Sequence, residues 1–320
     1  MQKRMPLVSY IIVLLLGFCV SAQDACTPDP EQPGPLPTAL FATRLEDEAR
    51  NRGMELLVIY PDDQAIQTAP LILFNHGFLL HADVYRSYGE HLASHGFVVA
   101  MPSFAMTFLN VNHAKLAEDV RFVLDYCLAV NDQEGHPLFQ RIDGNRVGAS
   151  GNSLGGKLSL LEAVTDPRIR AIGVLDPVDT GNPIFENPRI FPSVAPELMP
   201  EIHVPLLIVG SELGKEMLSF SPCAPEKDNY QRFYEAANTP AIEITQLDVG
   251  HGQYTDPGAE AATMACVVGD VDGEWVRRSS RAYLTAFFRA TLLDDSTAMA
   301  WLDEYLAQQD TEGQISLRRK

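Results

Sequence analysis

The pentapeptide Gly151-Asn152-Ser153-Leu154-Gly155 constrains the fold more than any other stretch of this chain. Residues 146–150 before it read as a short buried strand, and residues 157–164 after it read as a helix. A serine between spaced glycines at a strand-to-helix turn is the nucleophile-elbow pattern. The turn is so sharp that the serine is held in a strained conformation with its hydroxyl pointing out of the sheet. Glycines flank it because a Cβ there would collide with the neighbouring strand or helix.

Around this turn the hydrophobic pattern alternates between strands and helices. Strands are expected over 54–60, 70–74, 97–101 (stopped by Pro102), 169–175, 204–210 and 241–247, and helices over 84–94, 114–130, 229–237 and 277–293. Continuous apolar strands separated by helices argue for an α/β fold, a mostly parallel central sheet with helices on both faces. The Pro-rich stretches 181–203 and 213–228 fit no period and are expected to be loops over the site. The predicted domain spans 41–308, after a Pro-rich leader over 23–40 and before a polar tail, 309–320, expected to be disordered.

The first 22 residues are expected to lie outside the fold. Lys3 and Arg4 precede an apolar run over 7–20 and then Ser21-Ala22-Gln23, the layout of a signal peptide cut after Ala22. The run is shorter than the ~20 residues a spanning helix needs. A secreted or periplasmic protein would meet an oxidising compartment where cysteines pair. Cys223 and Cys266 lie in loops near the presumed active-site end and are the disulfide candidates. Cys127 sits in the apolar face of a helix and reads as a buried thiol, and Cys26 lies in the leader. A formal net charge of -18 excludes nucleic acid as a partner, because phosphate binding needs a basic face. No Cys/His spacing suits a metal, so neither metal nor cofactor is expected.

A serine hydroxyl needs an imidazole to take its proton and a carboxylate to orient that imidazole. In elbow-type enzymes these follow in the order Ser, Asp or Glu, His. Of the 8 histidines, only His251 follows the last buried strand, between Gly250 and Gly252. For the acid, Asp176 leaves the strand 169–175 directly and is the first choice, with Asp179 second and Glu212 third. Asn75-His76-Gly77-Phe78 follows the strand 70–74, where the second oxyanion donor belongs, so the backbone N–H groups of Phe78 and Leu154 are the candidate oxyanion hole. One such donor is worth on the order of 3 kcal/mol of barrier. His76 reads as structural, and Lys157 as a surface or cap-region lysine. Asp270-Val271-Asp272-Gly273 reads as a polar turn rather than a calcium loop, lacking the later bidentate Glu. Phe78, Leu79, Leu80, Phe104, Met106, Phe108 and Leu109 form either an apolar acyl or alcohol pocket or ordinary core.

Between about residues 68 and 290 the chain resembles the chlorophyllase family of α/β-hydrolases. The resemblance rests on Leu73-Phe74-Asn75-His76-Gly77-Phe78, Ala93-Ser94-His95-Gly96-Phe97, the elbow, Leu175-Asp176-Pro177-Val178-Asp179, Gly210-Ser211-Glu212-Leu213-Gly214, Ser221-Pro222-Cys223-Ala224-Pro225 and Gly250-His251. It implies hydrolysis of the phytyl ester of chlorophyll to chlorophyllide and phytol, with Ser153, Asp176 (or Asp179) and His251 as the triad. Asn152 and Leu154 stand where that family usually has His and often has Arg. The chain is also similar to secreted lipase-like and polyester-degrading enzymes. The substrate class implied is thus a small apolar ester: chlorophyll, or the ester of a lipase, polyesterase or platelet-activating-factor-type acylhydrolase. A non-catalytic binding member of the fold is the remaining alternative.

Overall fold

A computed structural model of the chain describes residues 28–63, 65–107, 109–181, 187–218, 220–259 and 263–320. The expected signal peptide over 1–22, Cys26 and Phe108 lie outside the described residues.

Nine strands form one sheet: β1 (Thr38–Asp47), β2 (Arg52–Pro61), β3 (Ala69–Asn75), β4 (Val98–Phe104), β5 (Ile142–Asn152), β6 (Ile169–Leu175), β7 (Leu206–Ser211), β8 (Ala241–Gln246) and β9 (Ile315–Arg319). Their spatial order is β1-β2-β4-β3-β5-β6-β7-β8-β9. The strands from β4 to β8 run parallel, and β1, β2 and β9 pair antiparallel at the two edges. The parallel strands are buried on both sides because each face carries helices. On β3, Leu71 and Leu73 pack into one core with helices α2 (His113–Asn131) and α3 (Leu154–Thr165). Ile72 and Phe74 point the other way, into a second core with α1 (Arg86–Ser94) and α5 (Gly273–Leu292). Alternate residues of a strand serve opposite faces, so a two-sided sheet demands an unbroken apolar run. A short α4 (Tyr230–Ala236) and a long α6 (Ser296–Thr311) complete the layers.

The structure corrects three expectations. The tail after Gln308 is not disordered: α6 runs on to Thr311, and 315–319 is the ninth strand, paired with β8 from Ile242↔Arg319 to Gln246↔Ile315. Its charged residues hide it from an apolar-pattern reading. Arg318 pairs with the buried Glu243 and lies 4.7 Å over the Tyr234 ring, while Ile315 is buried. The leader is packed from residue 28 onward and enters β1 at Thr38. Ser94 holds it by accepting from the Gly34 N–H at 2.8 Å, and His91 Nε2 meets the Pro30 carbonyl at 2.9 Å. β4 also continues through Pro102, which sits opposite Leu56 of β2; pairing with β3 ends at Ala100, so at Pro102 the strand is paired on one side only and a proline is tolerated there.

Cys223 and Cys266 form a disulfide, and Cys127 is a buried free thiol. The bridge ties the loop after β7 to the loop after β8 across 43 residues. On the chain-entropy account, a closure of that length stabilises by about 4 kcal/mol.

Candidate active site

All the candidate residues stand at the carboxyl ends of the parallel strands, the edge where an open α/β sheet places its ligands. β5 delivers Ser153 on a turn with φ +57°, a left-handed conformation rare for a residue with a Cβ. The approach is close enough that a Cβ on Gly151 or Gly155 would run into the Asn75 carbonyl. Glycine at both positions is therefore a packing requirement.

Ser153 Oγ lies 2.9 Å from Nε2 of His251, whose Nδ1 lies 2.7 Å from Oδ2 of Asp176. The carboxylate accepts, so the imidazole carries its proton on Nδ1 and leaves Nε2 to accept from the serine hydroxyl. Asp176 is fully buried and, like Ser153, left-handed, with φ +42°. Ser211 completes its surroundings. The Ser211 hydroxyl donates to Oδ2, and the Ser211 N–H donates to Oδ1 at 3.2 Å. A buried carboxylate held by such donors is anchored against rotation. His251 opens a 3-10 turn over 251–254, and Gln253 braces that turn by accepting from the N–H groups of Gly250 (2.7 Å) and Gly269 (2.9 Å).

The other two acid candidates are engaged elsewhere. Asp179 accepts from the N–H groups of Val194 and Ala195 at 3.0 Å and from the Ser193 hydroxyl at 2.8 Å. It also pairs with Lys157, whose Nζ is 3.0 Å from Oδ1. Glu212 accepts from the Asp248 N–H at 2.9 Å rather than from the imidazole. Lys157 is therefore not a surface lysine: its side chain is fully buried, and it clamps the 176–181 segment to the first turns of α3. Burial pushes its ammonium pKa down, and the Asp179 charge opposes that. Asp179→Ala should lower the unfolding free energy by about 3–5 kcal/mol in a urea titration, because it strands a buried ammonium and two N–H groups.

Phe78, Ser153 and Leu154 line one cavity of about 190 Å³ together with Val111, His113, Val178, Thr180, Pro222 and the disulfide-bonded Cys223. Leu154 is the first residue of α3, whose N–H has no intrahelical acceptor and carries the positive end of the helix dipole. Phe78 begins the turn in which Leu80 N–H bonds the Gly77 carbonyl. Of the other apolar candidates, Leu80 and Phe104 are buried core, while Leu79 and Leu109 are exposed. Asn152 accepts from the Tyr85 hydroxyl at 2.7 Å and donates to the Leu175 carbonyl at 3.0 Å, so it braces the turn from behind. His76 is structural: its Nε2 accepts from the Phe104 N–H at 2.9 Å. Asp272 caps α5 by accepting from Glu274 N–H, in keeping with a polar turn.

His113 was missed by sequence reasoning. It is a buried imidazole in the cavity wall, edge-on to Phe191 at 4.9 Å. The available signal was its place at the first turn of α2, directly after the loop that leaves β4. Burial, with a smaller contribution from the Lys157 charge, pushes its pKa down to about 3, so it is a neutral polar group in an apolar wall.

Burial likewise holds His91 at about 3 and His76 at about 4. A depressed histidine pKa means that the unfolded chain binds protons first. The stabilisation is full above pH 6.5 and is lost as pH falls towards 4 and 3. Glu162, raised by burial to about 7, acts oppositely: its contribution is full below about 4.5 and lost as pH rises to 7. Three histidines outweigh one carboxyl. The unfolding free energy measured by urea should therefore fall by a few kcal/mol between pH 7.5 and pH 5.

The sequence matches the model of the family described as Chlorophyllase over residues 31–311. The chain belongs to the chlorophyllase family. It is 28% identical to chlorophyllase-1 of Arabidopsis thaliana over 62% of this chain and 64% of that protein. It is 25% identical to the chloroplastic chlorophyllase-1 of Citrus unshiu over 78% of this chain and 80% of that protein. A bis(hydroxyethyl) terephthalate hydrolase of Streptomyces coelicolor is 23% identical over 82% of this chain and 80% of that protein. The chain spans just under two thirds of the length of the Arabidopsis relatives. The nine-stranded, mostly parallel sheet is the α/β-hydrolase fold of this family.

Proposed function

We propose that this protein is a serine carboxylic-ester hydrolase that works through an acyl-enzyme. One observation carries the reading: Asp176, His251 and Ser153 form a hydrogen-bonded row, at 2.7 and 2.9 Å, that ends on an elbow facing a cavity.

In this reading His251 Nε2 takes the hydroxyl proton as Ser153 Oγ adds to the ester carbonyl. The negative oxygen of the tetrahedral intermediate is held by the N–H groups of Leu154 and Phe78, assisted by the α3 dipole. Collapse expels the alcohol, which receives the proton from His251. Water then gives a proton to the same nitrogen as it attacks the acyl-enzyme, and collapse releases the acid while that proton passes from His251 to Ser153 Oγ. Asp176 holds Nδ1–H throughout and stabilises the imidazolium. These steps proceed with the chain's own groups.

The substrate we propose is the phytyl ester of chlorophyll, giving chlorophyllide and phytol; family membership and the chlorophyllase names of the relatives support it. A cavity of about 190 Å³ is small beside the 300–1,000 Å³ of sites that engulf drug-sized ligands. It suits one arm of an ester whose remainder lies outside. A second reading, a terephthalate-type or lipid ester, is favoured by the Streptomyces relative and by Asn152 and Leu154 at the elbow. Chromatography of products from purified chlorophyll, beside short- and long-chain p-nitrophenyl esters and bis(hydroxyethyl) terephthalate, separates the two. Chlorophyllide release comparable to the best simple ester supports the first; rapid cleavage of the simple esters with chlorophyll untouched supports the second. No hydrolysis of any would overturn both.

Export through the N-terminal segment belongs to the same reading, and a disulfide between Cys223 and Cys266 accords with an oxidising compartment. A mature amino terminus at Gln23 is the expected result of sequencing the protein from its host.

A further inference from the structure

Four loops at the carboxyl ends of β3, β4, β7 and β8 leave large apolar side chains in water. Leu79 follows β3 and Leu109, 90% exposed, follows β4. Phe220, fully exposed, stands with Met217 and Leu218 after β7. Met264 and Val268 follow β8. Among the described residues, the exposed large hydrophobics outside these loops reduce to Leu40 on the edge strand β1.

Three of these loops supply lining to one cavity, through Phe78, Val111 and Ser221, and the fourth is tied to it by the disulfide. Phe220 directly precedes Ser221, which lines the cavity, and Leu109 lies two residues before Val111, which also lines it. Met264 and Val268 flank Cys266, whose disulfide partner Cys223 is part of the cavity wall. The Leu79 N–H meets Met106 Sδ at 3.5 Å, which joins the first loop to the second. Exposed apolar side chains gathered on four loops at one end of the sheet mark an interaction surface.

Charge decides the kind of partner. The chain carries a net charge of -18, and the 212–229 loop sets Lys215 and Lys227 against Glu212, Glu216, Glu226 and Asp228. An anionic surface would be repelled. Among the described residues no helix is long and apolar enough to cross a membrane. We propose that these exposed side chains insert into the surface of a zwitterionic or uncharged lipid bilayer. The cavity mouth then sits against lipid, and an ester dissolved in the bilayer enters without crossing water. This inference rests on the reading of the site as one for an apolar ester.

Flotation with phosphatidylcholine vesicles tests it without turnover when done on Ser153→Ala. That protein should float with the vesicles, and adding L109S, M217S, L218S and F220S together should weaken binding about tenfold or more. Replacing part of the lipid by phosphatidylglycerol should weaken it at low salt. With Ser153 intact, the four-serine variant should keep its rate on a water-soluble short-chain ester and lose about tenfold or more on the same acyl ester carried in vesicles. Ser153→Ala remaining below the vesicles, or the four-serine variant floating equally well, would overturn the proposal. So would sedimentation showing a dimer that the four substitutions split, because a second copy would then cover this surface. If the intact protein hydrolyses no ester, the functional reading fails, and flotation still decides the docking.

Discussion

Ser153→Ala is expected to lower ester turnover by about 10⁴- to 10⁶-fold, the range seen when the nucleophile of an acyl-transfer triad is removed. In the proposed mechanism the Oγ, 2.9 Å from His251 Nε2, is the atom that bonds to the acyl carbon. The fold should be untouched. Alanine fits wherever this serine fits, the unusual φ of +57° is imposed by Gly151 and Gly155 packed on Asn75, and the lost hydrogen bond is partly exposed. Stability by urea should therefore change by less than about 1 kcal/mol. A collapse in stability matching the loss of rate would mean that the serine is structural.

Asp176→Asn should lower turnover by about 10⁴-fold with little change in KM. The amide removes the charge that stabilises the imidazolium, and its NH₂ can donate to Nδ1, which favours the wrong tautomer of His251. Ser211 would still hold the side chain through its N–H, so the geometry survives while the electrostatics do not. The contrast with Asp179 is the useful control. Asp179→Asn should be felt in stability and in the cavity wall carried by Val178 and Thr180, because its partners are Lys157 and the 193–195 backbone rather than the imidazole. Steady-state rates and urea titrations on the two variants separate these roles: one loses kcat at constant stability, the other loses stability first. A near-wild-type rate for Asp176→Asn would remove it from the mechanism.

The sheet centre was legible because its physics is local. β3, β7, β5 from Val147 and β6 from Ala171 are buried, mostly apolar runs bounded by Asn-His-Gly, Gly-Ser, Gly-x-Ser-x-Gly and Asp-Pro. A run buried on both faces cannot hide in a sequence. The edges were not legible for the opposite reason. β1 alternates exposed and half-buried residues, and β9 carries two arginines, one stabilised by the buried Glu243 on β8, a long-range pairing without local trace. At the site, Ser153 and His251 stand beside glycines at strand ends and announce themselves. Choosing among Asp176, Asp179 and Glu212 needed coordinates, because all three follow buried strands and differ only in which partner lies across the fold. Lys157 and His113 escaped for the same reason. A lysine in the first turns of a helix reads as solvated until Asp179 folds back onto it, and an imidazole at the start of α2 reads as a helix-end residue until Phe191 packs on it.

The most direct test of the central claim is covalent capture. The protein would be treated with a fluorophosphonate, which phosphorylates an activated serine, and the adduct would be located by peptide mass spectrometry while residual ester hydrolysis is followed. The account predicts one stoichiometric adduct, on Ser153, rising in step with the loss of activity and absent from Ser153→Ala and slow in Asp176→Asn. Full inhibition with the label on another residue, or continued turnover with Ser153 fully labelled, would contradict it.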